Sequence, residues 1–427
     1  MRRSRRRMRW LQAAALASLV VLESGCAAGQ KTYEDDGPFT AGYRNLAVPG
    51  RPGGNDPVNL LVYYPARSAE QNAPLDLAGA PYELVVFGHG FSLTAVLYDS
   101  LYRHLATHGY VVAGVATEEG LFAGQLPRFV EDFRAAVAGL RAEAARAGGP
   151  FFGALRPGAR AAAAGHSFGG AAALVAASGH PDLFGAVVTM AATATSPQNV
   201  DVLAATRALA VPVLHLGASR DTIVPPPQNL DVLFEATPPP KRLVEIKGGT
   251  HSYFHERWYL DRLVEPAGDI SVAEQQRLVR RYWLPFLEWA LRKDPTGLDV
   301  LLGPTAVADP GLSRQAVLLA DPVLFGRGSG CIGTRYDLHP ARRPGDGALL
   351  ALGLLPGSVP TPFGELALNP GALVLLGSVP VGASAYGTLP LGIPNEPVLA
   401  GRRVHFQALL AGPESAALTG RWDLLIP

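Results

Sequence analysis

The stretch Gly165-His166-Ser167-Phe168-Gly169-Gly170 constrains the fold of this chain more than any other. Four alanines precede it and an alanine-rich helical pattern follows it, as expected for a buried strand, a tight turn and a packed helix. Glycine is needed two residues either side of the serine because a side chain there would collide with the turn that lifts the serine oxygen out of the sheet. The stretch therefore predicts a nucleophile elbow. With 48 glycines in 427 residues, such a match is weak by itself, and its surroundings must support it.

Buried strands alternate with helical patterns on both sides of this stretch. The sequence predicts strands at 43–48, 58–64, 84–87, 110–115, 160–164, 186–190, 211–216 and 243–247. It predicts helices at 98–108, 129–147, 171–178 and 272–291, with Pro285 expected to kink the last. This alternation indicates an α/β fold, a mostly parallel sheet with helices on both faces, over residues 39–295.

The first 26 residues have the pattern of an export signal. Six arginines precede an apolar run over residues 10–22, which is too short to span a bilayer comfortably. Ser24-Gly25-Cys26 resembles the end of the lipobox of bacterial lipoproteins, which would make Cys26 the lipidated residue. Glu23 departs from that pattern, and ordinary cleavage just after Cys26 is the alternative. Residues 27–38 are predicted to be a tether.

The charge and the cysteine content argue against nucleic-acid-binding proteins and disulfide-rich domains. The formal net charge is only +1, and much of the visible basic excess lies in the leader. We therefore expect no nucleic-acid partner. Cys331 is the only cysteine besides Cys26, so the sequence predicts no disulfide framework and a buried, unpaired Cys331. The sequence sets no oligomeric state.

The composition changes near residue 300. Between residues 348 and 394 the only charged residue is Glu365, and short apolar runs are repeatedly interrupted by glycine and proline. This pattern excludes a membrane helix there and favours short strands. We expect residues 300–427 to form a β-rich accessory domain, in the form of a small β-sandwich.

Two residues after Ser167 complete a candidate catalytic set. Asp221 comes directly after the predicted strand 211–216, and His251 follows the strand 243–247 and a glycine-rich turn. A serine hydroxyl needs a histidine to take its proton and a carboxylate to orient that histidine. Asp201 and Asp231 are weaker candidates for the acid because neither follows a strand, and His255 is the reserve candidate for the histidine.

Backbone amides must stabilise the oxyanion of such a reaction. We expect them to come from Phe168, directly after the nucleophile, and from Phe91 in the loop after the strand 84–87. His89 and His166 are expected to brace turns rather than act as bases. Tyr253 and Trp258 are predicted either to line a substrate pocket or to be ordinary core.

With these residues placed, residues 40–292 resemble the α/β-hydrolase superfamily. The branch that looks most similar includes bacterial cutinase-like polyester hydrolases, platelet-activating-factor acetylhydrolases and dienelactone-hydrolase-like esterases. The matching motifs are Tyr63-Tyr64-Pro65, Gly88-His89-Gly90-Phe91, the elbow itself, Asp221 with Ile223-Val224-Pro225, and Gly249-Thr250-His251. The resemblance implies a Ser167-Asp221-His251 triad, an acyl-enzyme intermediate and no metal or cofactor.

The sequence departs from the polyester hydrolases of that branch. Phe168 replaces a methionine, residues 190–197 contain no tryptophan, and the catalytic segment has no cysteine. The expected function is therefore an exported serine esterase acting on small-molecule or lipid-like esters. Attachment to a membrane through an N-terminal lipid is expected if Cys26 is the lipidated residue. Lipase, phospholipid or polyester hydrolysis is the alternative within enzymes. A cell-surface binding protein on a hydrolase scaffold is the alternative outside them.

Overall fold

The computed structural model describes residues 32–50, 56–120, 124–195, 197–256, 260–413 and 415–427. These residues divide into two compact units, which are described separately. The first unit is Thr32–Ala320, and the described residues of the second are Asp321–Pro427. Cys26 and the rest of the export signal lie outside the described residues.

The first unit is built on a sheet of nine strands in the order β1-β2-β4-β3-β5-β6-β7-β8-β9. Its strands are β1 Thr40–Val48, β2 Val58–Ala66, β3 Glu83–Gly88, β4 Tyr110–Val115, β5 Ala161–His166, β6 Phe184–Met190, β7 Val213–Ala218, β8 Lys241–Ile246 and β9 Leu312–Leu318. Strands β3 to β8 are parallel to one another, whereas β1, β2 and β9 are antiparallel to the strands they pair with.

Helices cover this sheet. They are α1 Asp99–Thr107, α2 Leu126–Ala145, α3 Phe168–Gly179, α4 Val202–Arg207, α5 Leu230–Ala236, α6 Val272–Leu287, α7 Leu298–Leu301 and α8 Pro304–Val307. Every residue of β3 to β8 is buried, which explains the apolar runs that mark most of these strands in the sequence. Strand β8 differs because it also buries Lys241, Arg242 and Glu245. The expected α/β fold is confirmed. Across the described ranges, no helix is long and apolar enough to span a bilayer.

The edge strand β9 extends the first unit beyond the predicted boundary. Its register with β8 runs from Lys241 opposite Leu318 to Ile246 opposite Leu312. The unit therefore ends at Ala320, whereas the sequence predicted the accessory domain from residue 300. The sequence of β9 contains Ser313, Arg314 and Gln315, so it lacks the apolar pattern that identified the central strands.

The segment predicted to be a tether packs against the first unit from Thr32 onward. Tyr33 is buried, and Glu34 Oε1 accepts hydrogen bonds from Arg277 (3.0 Å) and Arg281 (2.6 Å) on α6. The Gly37 N–H donates to the Thr107 hydroxyl over 2.8 Å. The predicted tether over 27–38 is therefore wrong for its described part, because these contacts hold residues 32–38 against the folded unit.

The second unit is β-rich, as predicted, and consists of three antiparallel sheets. The first sheet contains β10 Val323–Arg327, β11 Arg335–Ala341 and β16 Leu389–Gly392. The second contains β12 Gly347–Gly353, β15 Leu373–Pro380, β17 Arg403–Ala411, β18 Ala416–Leu418 and β19 Trp422–Leu425. The third is the pair β13 Pro356–Thr361 and β14 Gly364–Leu368. The prediction that Cys331 is unpaired is wrong, because this buried cysteine is disulfide-bonded.

Candidate active site

The turn between β5 and α3 holds Ser167 in a backbone conformation that few residues other than glycine adopt. Its φ is 55° and its ψ is −117°. A Cβ at Gly165 would overlap the carbonyl group of Gly169, and one at Gly170 would lie 2.7 Å from the Cβ of Ala192. The glycines around Ser167 therefore allow the strand and helix to approach closely enough to form the sharp turn. This geometry matches a nucleophile elbow.

The elbow joins Ser167 to the neighbouring strand and to the start of a helix. The Ser167 N–H donates to the Met190 carbonyl over 2.9 Å. Helix α3 begins at Phe168, and the first N–H groups of a helix have no partner within it. The positive end of the helix dipole also lies there, which favours negative charge. The Phe168 amide is therefore in a suitable place to bind an oxyanion.

Asp221 lies in the loop after β7, at the same edge of the sheet as Ser167, because β5 to β8 run parallel. Its Oδ1 accepts hydrogen bonds from the N–H groups of Ile223 (3.0 Å) and Val224 (2.6 Å). These bonds, typical of an aspartate in a tight turn, fix the carboxylate and leave Oδ2 for another donor.

That donor is His251. Its Nδ1 lies 2.8 Å from Asp221 Oδ2, and the two side chains are only 4% and 1% exposed. The carboxylate can only accept, so Nδ1 carries the proton and Nε2 is the nitrogen that can take another. The Arg220 N–H donates to the Gly249 carbonyl over 2.9 Å, which joins the loops that carry the two residues.

His166 connects the elbow to both His251 and the loop after β3. Its ring centroid lies 4.4 Å from that of His251. The Gly90 N–H donates to the Tyr98 hydroxyl (3.2 Å), which in turn donates to His166 Nδ1 (2.8 Å). Burial, together with the nearby rings of His251 and His255, holds the pKa of His166 well below its ordinary value. His166 therefore stays neutral and serves to connect loops.

Phe91 and Phe168 lie next to each other, with ring centroids 5.9 Å apart and an edge-to-face angle of 68°. The structure therefore brings together the two residues predicted to supply the oxyanion hole. Phe168 is buried, whereas Phe91 is 47% exposed and presents an aromatic surface to solvent. His89 contacts two carbonyl oxygens, those of Gly90 (2.9 Å) and Thr117 (2.8 Å), which is consistent with a role in bracing this loop.

The reserve candidates have other partners. His255 Nε2 lies 2.7 Å from Asp261 Oδ2, so it forms a separate histidine–aspartate pair. Asp201 caps helix α4 by accepting from the Ala204 N–H over 2.9 Å. Asp231 forms an ion pair with Arg314 at 2.6 Å. None of these contacts involves His251.

The predicted pocket residues are placed only in part. The Tyr253 hydroxyl accepts from the Gly268 N–H over 3.3 Å, and the Arg262 guanidinium lies over its ring at 5.3 Å. These contacts brace the loop after His251, and a role for Tyr253 in binding substrate stays a prediction. Trp258, like Cys26, lies outside the described residues.

The sequence analysis missed two buried residues that hold His251. Gln275 on α6 accepts from the Thr250 N–H (2.9 Å) and donates to the Thr250 carbonyl (2.8 Å). Glu265 accepts from the His251 N–H over 2.8 Å. Both act on backbone groups, and no motif or spacing in the sequence marks a side chain that binds backbone from a distant position.

The elbow, the histidine–aspartate pair and the aromatic loop lie within a segment that matches a known family. The model of the family described as PETase, PET hydrolase-like, matches residues 35–258, which is more than half of the 427-residue chain. The chain belongs to the PET hydrolase-like family. This membership confirms the expectation of an ester hydrolase and implies a small-molecule substrate.

No curated protein matches this PET hydrolase-like chain. The family match ends before β9 and the second unit, so it does not account for residues 259–427.

Proposed function

We propose that this PET hydrolase-like chain cleaves carboxylic esters by a serine mechanism in which Ser167, His251 and Asp221 form the catalytic triad. The observation that carries the proposal is the 2.8 Å contact between His251 and Asp221, at the sheet edge where the strained Ser167 turn lies. The parallel order of β5, β6, β7 and β8 brings these three loops to one edge.

The roles of the three residues follow from their contacts. The Ser167 oxygen attacks the ester carbonyl while Nε2 of His251 takes the hydroxyl proton. Asp221 holds Nδ1 protonated and stabilises the imidazolium that forms. His251 then gives its proton to the leaving alcohol, and an acyl group remains on Ser167. Water, activated by the same histidine, releases the acid and restores the serine.

The oxyanion of each tetrahedral intermediate would be bound by the backbone amides of Phe168 and Phe91. The Phe168 amide is at the start of α3. The hydrogen bonds from Gly90 to Tyr98 and from Tyr98 to His166 connect the loop that carries Phe91 to the elbow. Because these donors are held before substrate arrives, little reorganisation is needed in the transition state.

The substrate would be an ester with a bulky apolar or aromatic part. Phe91 is exposed beside the elbow, and Ile223, next to the loop of Asp221, is 39% exposed. Exposed apolar side chains around a reactive serine favour a substrate that approaches from the surface rather than one enclosed in a deep pocket. This arrangement and the family match make polyester hydrolysis a second candidate activity.

The experiment that tests the serine mechanism compares wild type, Ser167→Ala and Ser178→Ala on p-nitrophenyl esters from acetate to palmitate. Ser178 is the matched control because it lies near the opposite end of α3. We expect Ser167→Ala to lose at least about 10⁴-fold in kcat, since the nucleophile is removed. Ser178→Ala should retain wild-type kcat, and a fluorophosphonate probe should label wild type but not Ser167→Ala.

Equal hydrolysis by wild type and Ser167→Ala would contradict the proposal, as would an inert wild type that the probe does not label. Polyester hydrolysis is tested separately by soluble products released from a polyester film. Product release that requires Ser167 would support polymer cleavage, whereas activity confined to soluble esters would restrict the proposal to small substrates.

We also propose that the chain is exported and that Cys26 is its lipid attachment site. Because a lipid and a disulfide use the same sulfur atom, a lipidated Cys26 cannot also pair with Cys331, the other cysteine of the sequence. The support is the arginine-rich and apolar leader and the Ser24-Gly25-Cys26 motif. In a bacterial host, mass spectrometry of the N-terminal peptide should show a diacylglyceryl group on Cys26, and Cys26→Ser should release the protein from the membrane fraction. An unmodified N-terminus after Cys26 would contradict lipidation while leaving export intact.

A further inference from the structure

Glu265 is a buried carboxylate between two loops of the candidate active site. Only 6% of its surface is exposed. It lies in the segment between His251 and α6, and the triad chemistry proposed above does not use it. A buried glutamate is expensive unless its oxygens are hydrogen-bonded, so the partners of this carboxylate decide what it does.

Both of its oxygens accept backbone N–H groups from residues of the active-site loops. Oε1 accepts from the His251 N–H over 2.8 Å, and Oε2 accepts from the Ser252 N–H over 2.8 Å. A third, longer contact of 3.4 Å joins Oε1 to the N–H of Thr222, the residue after Asp221. One carboxylate thus binds the backbone of both the histidine and the acid loops.

These bonds fix the direction of the His251 side chain. Hydrogen bonds to a charged acceptor are roughly twice as strong as those between neutral groups. His251–Phe254 form a short 3₁₀ turn. Because the N–H groups of His251 and Ser252 are bound to one carboxylate, the start of this turn has little freedom to rotate. Gln275 holds Thr250 on the other side. The imidazole is therefore directed by backbone contacts before and after it.

We infer that Glu265 is a positioning residue for the proposed ester hydrolysis, one that holds His251 and Asp221 in register with Ser167. This inference rests on the proposed function. The loss of rate expected on removing Glu265 follows from the sensitivity of such reactions to geometry, since a displacement of about 1 Å can reduce the rate by about 10²-fold. Glu265 touches neither Ser167 nor a reacting atom in this scheme, so its effect is exerted through the backbone.

The test compares Glu265→Gln and Glu265→Ala with the matched control Glu83→Gln. Glu83 is also a buried glutamate, but it lies at the start of β3, at the opposite edge of the sheet, where it pairs with Arg156 at 2.7 Å. In Glu265→Gln the side chain keeps its volume, but its amide nitrogen takes the place of one carboxylate oxygen. This nitrogen cannot accept a hydrogen bond, so at least one bond to a backbone N–H is lost. Glu265→Ala removes all three contacts.

We expect kcat on a soluble p-nitrophenyl ester to fall about 10-fold in Glu265→Gln and about 100-fold in Glu265→Ala, with KM changed less than about twofold. The fluorophosphonate labelling rate of Ser167 should fall in parallel. Glu83→Gln should lower the melting temperature but leave kcat unchanged. If Glu265 had a purely structural role, its variants would resemble Glu83→Gln, with a lower melting temperature and an unchanged kcat.

If the folded Glu265→Gln variant kept wild-type kcat, or if Glu83→Gln lost as much kcat, the positioning role would be wrong. Should Glu265→Ala fail to fold, the isosteric Glu265→Gln decides. Failure of the proposed function is recognised separately, because wild type would then show no activity that depends on Ser167.

Discussion

Gly169 leaves no room for a single methyl group at the base of the elbow. A Cβ at this position would overlap the carbonyl oxygen of Gly88, directly before the loop that carries Phe91. We expect Gly169→Ala to lose at least about 100-fold in kcat, because the loop that carries Phe91 and the elbow would move apart. Ester hydrolysis measured beside the thermal unfolding midpoint checks this.

The control is Gly179→Ala, at the end of the same helix, where an added Cβ would have no atom within 4 Å. This change should leave kcat unaltered and should not lower the melting temperature, since alanine suits a helix better than glycine. A Gly169→Ala enzyme as active as Gly179→Ala would show that the close approach is not needed.

Two histidine–aspartate pairs lie in this region, and their acids can be compared directly. Asp221→Asn should lower kcat by about 10⁴-fold, because the amide cannot hold the required tautomer of His251. Asp261→Asn, which alters the partner of His255, should lower kcat by less than about tenfold if His255 has no part in proton transfer. If steady-state kinetics showed the larger loss of kcat in Asp261→Asn, the roles proposed for the His251–Asp221 and His255–Asp261 pairs would have to be exchanged.

The residues proposed to carry the chemistry could be selected from the sequence, whereas the residues that hold them in place could not. Ser167, Asp221 and His251 follow buried strands, so their order and position in the sequence indicate one sheet edge. Glu265 is recognisable only in three dimensions, because its partners are backbone N–H groups with no sequence signature. The same is true of Tyr98, whose hydroxyl joins Gly90 to His166.

At the scale of elements, burial decided what could be predicted. Strand β4 has the predicted bounds, and β3, β5 and β6 differ from prediction by no more than three residues at either end. Strand β9 was missed because an edge strand has polar residues and no apolar run. Helix α6 was predicted to reach residue 291, but a π-helical turn, Glu288–Arg292, replaces its last turn.

Strand β9 gives a prediction about truncation. Residues 32–320 contain the complete nine-stranded sheet and should fold and hydrolyse soluble esters at close to the full-length rate. Residues 32–299 lack β9 and leave β8 as an unpaired edge, and they also lack Asp309, which accepts from Tyr282 and Arg281 at 2.7 Å. We expect a lower melting temperature and aggregation of this shorter chain.

Scanning calorimetry and size-exclusion chromatography of the two truncated chains make the comparison. If residues 32–299 were as stable as residues 32–320, the domain would end where the sequence suggested, before β9.

For the whole molecule, buried histidines predict loss of stability in acid. Burial, with a smaller contribution from Lys241, lowers the pKa of His215 to about 3, and burial also lowers that of His104 to about 3. In the unfolded chain both would take up protons near pH 6.5. Between these limits the unfolded state binds more protons, so the free energy of unfolding falls as pH falls from about 6.5 towards 3.

Each such histidine contributes a slope of up to about 1.4 kcal/mol per pH unit. His215 lies between the hydroxyls of Thr189 and Thr237, both at 2.9 Å, which a glutamine amide can also contact. His215→Gln should therefore show a shallower decline of urea-unfolding free energy between pH 6.5 and 4 than wild type. Identical slopes would mean that His215 is not the group responsible.

The docking of Tyr33 and Glu34 against α6 and its surroundings limits how far the enzyme could reach if Cys26 carries a lipid. Five residues lie between Cys26 and Thr32, and the six residue-to-residue steps, fully extended, span only about 20 Å. The catalytic unit would then be held within that distance of the bilayer, with the face that receives Tyr33 turned towards it. Substrates would be met in a thin layer beside the membrane rather than throughout the surrounding solution.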